Sequence, residues 1–372
     1  MSDVVVIGGG IVGCACAYEL AKAGAKVTLL EYGKTGMQAT NAAAGMLAPL
    51  IESPGPGPML EFGLRALRAY PALVDELRGQ CDLDIEFRPH GILKVVFDDP
   101  GMLELRRRFG WQRELGFPID WLDGPTCREF EPRLSTRIAA GVFSAEEGGV
   151  NNQALALALE RAAIARGADL RIHTRVTGFT TAAGRITAVR SGDESFACDT
   201  VVLAAGARSG KVAGLLRAHV PVRPIRGQMI ALGGMSAPIR HVVWGPGGYL
   251  VPRANGLVFA GATVEDVGFR RRTTKAGIRG LRRMAEGLVP QFRAATVHFD
   301  WAGLRPGTPD ALPIIGPVPG WSNFIAATGH FRNGILLGPL TGAVIARAIT
   351  AGDWTRIPAE FAPARFGPER AR

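Results

Sequence analysis

The pattern that most restricts the fold lies in the first 31 residues, MSDVVVIGGGIVGCACAYELAKAGAKVTLLE. Residues 3–7 predict a strand buried on both faces, because its apolar residues run continuously rather than alternate. Gly8, Gly10 and Gly13 then form G-x-G-x-x-G, residues 11–23 read as a helix, and residues 25–30 as a second strand ending on Glu31. In such a turn the first glycine permits the sharp reversal and the second lets backbone approach a pyrophosphate. The third lets helix and strand pack closely. Free N–H groups and the dipole at the helix start favour the pyrophosphate charge. Glu31, 18 residues beyond Gly13, is placed to accept hydrogen bonds from a ribose diol. These residues predict a bound dinucleotide and leave NAD and FAD both open.

The same βα signature returns later in the chain. The turn-rich "SPGPGP" at 53–58 precedes a helical stretch at 59–80. Residues 85–97, "IEFRPHGILKVVF", read as a hairpin, and residues 102–115 as a charged helix. A capped helix at about 152–166 leads into a strand. "CDTVVLAAGARSG" (198–210) is another buried strand entering a glycine turn, and several strands fill 220–263. A helix near 274–287 follows, then a strand at 323–328, a glycine turn and a helix to about 349. Dinucleotide-type units at the start, middle and end, with strand-rich insertions between them, predict an α/β chain. The expected partition is a discontinuous nucleotide domain of 1–80, 145–219 and 300–372, and a second, mostly antiparallel α+β domain of 81–144 and 220–299.

Composition removes several function classes. The net charge is +10, but the basic residues are scattered apart from runs at 106–113, 269–275 and 364–372. No aromatic-interleaved recognition module accompanies them, so they read as solvated surface and not as a nucleic-acid site. No basic residue precedes Lys22, which argues against a secretory leader. The longest apolar run, 334–346, spans 13 residues with Pro339 inside it, short of the ~18 that a membrane helix needs. Cys14, Cys16, Cys81, Cys127 and Cys198 show neither metal-ligand nor disulfide spacing, and the six histidines show no metal motif. The expectation is a cytoplasmic protein without metal.

Five segments carry a resemblance that covers nearly the whole chain: "VVVIGGGIVG" (4–13), "ATNAAAGML" (39–47), "GYLVPR" (248–253), "WAGLRPGTPDALPIIG" (301–316) and "GHFRNGILLGP" (329–339). With them the chain resembles the FAD-dependent D-amino-acid oxidase superfamily, and within it the glycine oxidase family. The first segment is shared by many flavoproteins; the last two are far more specific. The resemblance implies a Rossmann-like FAD-binding domain of the glutathione-reductase type beside a mostly antiparallel substrate domain. It implies cofactor contacts from Gly8, Gly10, Ile11, Val12 and Gly13, then from Glu31 and Tyr32. Ala39, Thr40, Asn41, Ala44, Gly45 and Met46 would follow along the isoalloxazine, with Val176 on the adenine side and Gly206 nearby. Gly329, His330, Phe331, Arg332, Asn333, Gly334, Ile335 and Leu336 would wrap the pyrimidine edge. Some relatives attach flavin through a cysteine near the C-terminal motif or a histidine in the early contact segment. This chain has no cysteine after Cys198 and no histidine in "ATNAAAG", so its FAD is expected to be non-covalent.

Three further residues are implied for the substrate. Arg305 would hold a carboxylate with two parallel hydrogen bonds, which fixes orientation as well as binding; the alternative is a structural salt bridge with Asp310. Arg332 would point across the flavin toward an anionic substrate group, and Tyr249 would close the pocket from the second domain. No catalytic acid or base is implied, since hydride would pass from Cα to flavin N5 to give an imine, then keto acid and ammonia. The implied partners are a small amino acid (glycine, N-methylglycine or a small D-amino acid) and O2, reduced to hydrogen peroxide. In this family such oxidation can feed the thiazole branch of thiamine synthesis. Other readings are a D-amino-acid or proline-derivative dehydrogenase that passes electrons to a quinone or other carrier, and an FAD-binding module without turnover. A homo-oligomer stays open.

Overall fold

The structure, a computed structural model, describes residues 3–234 and 239–367, so the last basic run lies partly outside the described residues. One sheet has six strands in the order Ile314–Pro317, Phe324–Thr328, Thr200–Leu203, Asp3–Ile7, Lys26–Leu30 and Asp169–Arg171. Neighbours are parallel except Ile314–Pro317, which runs against Phe324–Thr328. The continuous apolar run of the first strand is explained by two covered faces. Val4 and Val6 join a core built with the helices Ile11–Lys22, Asn152–Ala165 and Gly334–Ala351. Val5 and Ile7 join a second core under the antiparallel strands Gly178–Ala182, Arg185–Ser191 and Glu194–Ala197.

The last helix ends close to where it was expected, near 349. It spans Gly334–Ala351, 18 residues with mean hydropathy 1.5, longer than the 13-residue apolar run inside it and long and apolar enough by length and composition to cross a membrane. Here 61% of it is buried inside the chain. Pro339 is tolerated because the carbonyl it leaves without an amide donor, that of Ile335, accepts the Tyr70 hydroxyl instead. Small residues set the packing: a Cβ on Gly342 would stand 2.5 Å from the backbone of Ala15 in Ile11–Lys22.

The second sheet has eight strands, in the order Thr296–Gly307, Arg223–Gly233, Val258–Gly261, Gly248–Pro252, Val242–Gly245, Ile92–Val96, Ala140–Ser144 and Ile119–Asp123. It is antiparallel except where Val242–Gly245 pairs with Ile92–Val96. The hairpin expected at 85–97 does not form. Only Ile92–Val96 is a strand, and its partners lie at 140–144 and 242–244, while Arg88 makes an isolated bridge to Gly149. Pro89 and Gly91, the latter at φ +87°, break the run before it can pair with itself. The helix Lys275–Leu288, capped by the Thr274 hydroxyl on Gly277 N–H, covers one face through Leu281, Ala285 and Leu288.

The two sheets meet where the long strand Thr296–Gly307 crosses the short helix Ala39–Ala42. Trp301 Nε1 donates to Ala42 O at 3.1 Å, and a Cβ on Gly303 would stand 2.3 Å from the Ala42 methyl. That crossing places Arg305 in the wall of the cavity between the sheets.

Candidate active site

A cavity of about 750 Å³ runs from the first glycine turn to the strands of the eight-stranded sheet. The three motif glycines shape its start, each for a different reason, with Gly8 and Gly10 in its lining. Gly8 has φ +108°, and a Cβ there would stand 2.5 Å from Ala204 O. A Cβ on Gly13 would stand 1.7 Å from Gly8 O, so that glycine serves helix–strand packing. Gly10 is different: a Cβ would meet only the Thr40 hydroxyl, at 3.4 Å, an ordinary contact. The chain tolerates a side chain at Gly10, but that side chain would enter the cavity in front of the helix. Packing alone therefore does not require a glycine at Gly10, which lines the cavity.

The surroundings of this turn are equally ordered. The Thr40 hydroxyl accepts Ile11 N–H at 3.0 Å, and Asn152 Nδ2 donates to Thr40 O at 2.6 Å, which ties "ATNAAAG" to the helix start. Glu31 is buried, with Oε2 accepting Gly9 N–H and Oε1 accepting Gly33 N–H, both at 2.8 Å. Each oxygen retains a lone pair for a diol.

The cavity brings together most of the expected cofactor residues: Gly8, Gly10, Ile11, Val12, Glu31, Tyr32, Ala39, Thr40, Ala44, Gly45, Met46, Val176, Gly206, His330, Phe331, Arg332, Gly334 and Ile335 line it. Gly13, Asn41, Gly329, Asn333 and Leu336 do not. Gly13 packs on Gly8, and Leu336 is buried in the helical core. Gly329 turns at φ +77° against Thr308 and Ile314, and Asn333 precedes the last helix. Asn41 carries the turn through its backbone, donating to Gly36 O at 2.8 Å. His330 is buried, and burial holds its imidazole down to about 4, so it is neutral at pH 7. The Thr341 hydroxyl donates to Leu337 O at 2.8 Å and so accepts from His330 Nε2–H at 3.0 Å, which assigns the tautomer.

At the far end of the cavity Arg305 has no salt-bridge partner among the described residues; its Nη1 donates to Thr263 O at 3.0 Å. Asp310 pairs instead with Arg365, Nε to Oδ2 at 2.7 Å, which removes the structural alternative considered for Arg305. Tyr249 lines the cavity beside Arg305, its ring 5.2 Å from that of Trp244, and burial pushes its phenol up. Arg332 already has an anion: Glu52 Oε2 stands 2.6 Å from its Nε. The contact is close but not aligned as a hydrogen bond.

Sequence reasoning missed Glu52, which lies just past the quoted flavin-contact segment, immediately before "SPGPGP". It also missed a basic rim. Arg208 stacks over Tyr32 and Phe269, Lys211 lies 4.1 Å from the Phe269 ring centroid, and Arg271 donates to Gln38 at 2.7 Å. The "FRRRTTK" run thus reaches the cavity in part, where a wholly solvated face was expected. Among the described residues no cluster of His, Cys, Asp and Glu could hold a metal ion.

A bare Gly10 at a helix start, a buried acid after the second strand and a long cavity beyond them are the marks of a dinucleotide-binding oxidoreductase. Residues 3–348 match the model of the DAO family, FAD dependent oxidoreductase, and the chain belongs to that family. It is 31% identical to a glycine oxidase of Pseudomonas putida over 97% of this chain and 98% of that protein. The crystal structure of glycine oxidase from Geobacillus kaustophilus superposes with TM-score 0.94 at 31% identity, covering 98% of this chain and 99% of that one. The chain is also 35% identical to the bifunctional protein ThiO/ThiG of a Synechocystis species, but it spans only 54% of that protein's length.

Proposed function

We propose that this chain oxidises the amine of glycine or another small amino acid, such as N-methylglycine or a small D-amino acid, to an imine that water converts to a 2-oxo acid and ammonia, or methylamine where N-methylglycine is the substrate. The observation that carries the reading is Arg305: a guanidinium without an acidic partner among the described residues, at the end of a cavity that begins at the nucleotide turn. A cationic fork left there calls for a planar anion, and a carboxylate matches its donors. Two relatives named glycine oxidase, similar over nearly their whole length, support the same substrate class.

The residues present fit FAD. Gly10 and Val12 would meet the pyrophosphate at the helix start, Glu31 the ribose diol, and Ala44 to Met46 with His330 to Ile335 the ring system. FAD, when bound, supplies the two-electron acceptor for the Cα–H bond and hands those electrons to O2 or another carrier. The chain itself orients and excludes. Arg305 and Tyr249 hold the carboxylate so that one Cα–H points inward, since reacting atoms must approach to about 3–3.5 Å. Neutral His330 keeps its Nε2–H on Thr341 and adds no charge. The substrate amine must be unprotonated, so that its lone pair forms the C=N bond as hydride leaves. We infer that segments 1–80, 145–219 and 300–372 form the FAD-binding domain and the rest the substrate domain, although the strand Thr296–Gly307 continues the eight-stranded sheet through residue 300. Five free thiols, four of them buried, support a cytoplasmic setting.

The reading is tested by adding a panel of amino acids to the purified holoprotein without air. Loss of the flavin absorbance with glycine or N-methylglycine is expected. A flavin that no amino acid bleaches would make the chain a binding module without turnover.

A further inference from the structure

Glu52 is an acid that the chain has gone to some length to place. The turn Pro49–Glu52 is held by three side chains. Glu147 accepts Leu50 N–H at 2.5 Å and Ile51 N–H at 3.3 Å, Gln112 donates to Leu50 O at 2.9 Å, and Lys94 donates to Ile51 O at 3.2 Å. The result is an acid buried in the cavity wall, 2.6 Å from Arg332 Nε; burial pushes its carboxyl up, and the guanidinium of Arg332, with Arg305 and Lys94, pulls against that. Burying a carboxylate is costly unless it is paired, so its position needs a reason. The Arg332 side chain remains 44% exposed. Without Glu52, the cavity would present two guanidinium groups to a substrate instead of one.

We infer that Glu52 is a specificity-determining residue: by occupying Arg332 it leaves Arg305 as the single carboxylate anchor, and it bars amino acids that carry a second acidic group. This rests on the proposed carboxylate-binding role of Arg305. A monocarboxylate fills Arg305 and leaves the Glu52–Arg332 pair intact. A dicarboxylate must bring its second anion against Glu52, and close like charges repel strongly where water is scarce. Removal of the Glu52 charge frees Arg332 to take that second carboxylate.

The test uses the flavin spectrum of the holoenzyme during titration with acetate and with malonate. In the wild type acetate perturbs the flavin and malonate binds more weakly. In Glu52→Gln the malonate affinity relative to acetate rises about tenfold or more, and turnover of D-aspartate relative to D-alanine rises with it. Arg332→Met, which removes the second anchor, shows no such rise and serves if Glu52→Gln fails to fold. An unchanged ratio in Glu52→Gln overturns the inference and leaves the Arg305 reading standing, as does a malonate gain in Arg332→Met. Failure of acetate to bind the wild type overturns the Arg305 reading, and this inference with it.

Discussion

The guanidinium of Arg305 covers Gly227 on the neighbouring strand: a methyl group on that glycine would stand 2.2 Å from Nη1 and 2.4 Å from both Cζ and Nη2. The strands pair Gly227 with Gly303, two residues before Arg305, so the bare backbone at 227 lies where the side chain needs a bed. In Gly227→Ala the far end of a flexible side chain can give way, so the fold and FAD binding should survive. The anchor, however, would move by an ångström or more. A fall in kcat/KM of roughly 10²-fold is expected, carried mainly by KM. Steady-state kinetics alongside the flavin-to-protein ratio checks it.

Removal of the anchor itself should be more severe. Arg305→Ala leaves no guanidinium for the substrate carboxylate, a loss of ~2–5 kcal/mol by the measure of charged pairs truncated at buried interfaces. FAD should remain bound, because Arg305 is far along the cavity from the glycine turn. A variant with wild-type kcat/KM would make Arg305 a structural residue.

Gly10 allows a cleaner separation of fold from ligand. Gly10→Val should fold, since only the Thr40 hydroxyl stands near, yet it should lose FAD because the new side chain fills the pyrophosphate approach. Gly13→Val should compromise folding itself, because a Cβ there would stand 1.7 Å from the Gly8 carbonyl oxygen. Thermal unfolding with and without added FAD distinguishes the two. Acid precipitation of the wild type should release all its flavin, as no cysteine lines the cavity among the described residues.

Glu147 predicts a pH dependence of stability. Burial pushes its carboxyl up to about 8, against the pull of the Leu50 and Ile51 amides. The folded protein therefore binds this proton more tightly than the unfolded chain does. Its contribution is fully present below the ordinary glutamate range and is lost as pH rises toward and through about 8. Glu147→Gln keeps an acceptor for the two amides and has no proton to lose. Its Tm relative to wild type should increase from pH 5 to pH 9; a constant difference would contradict the assignment.

Much of this was legible from local pattern. The first βαβ unit reads directly, because one segment of 30 residues holds all of its own signals: apolar runs, glycines and a terminal acid. The failures share a physical origin. Ile92–Val96 has partners that are distant in sequence, so a hairpin was the natural but wrong inference from local alternation. The last helix was expected to about 349 and ends at Ala351, but what serves Ile335 O in place of Pro339, the Tyr70 hydroxyl 265 residues away, is not local either. Arg332 was legible as a charge in need of an anion. That the anion is Glu52 depends on how the chain folds back, and nothing near "GHFRNG" announces it.

The central claim, that Arg305 grips a substrate carboxylate in front of a flavin, is tested most directly by comparing N-methylglycine with methylamine in the same purified enzyme. Anaerobic bleaching should be followed from neutral to alkaline pH. The account predicts fast reduction by N-methylglycine, faster as its ammonium loses a proton, with reduction by methylamine slower by at least ~10²-fold because guanidinium donors stay unpaired. Equal rates for the two amines at every pH would contradict it.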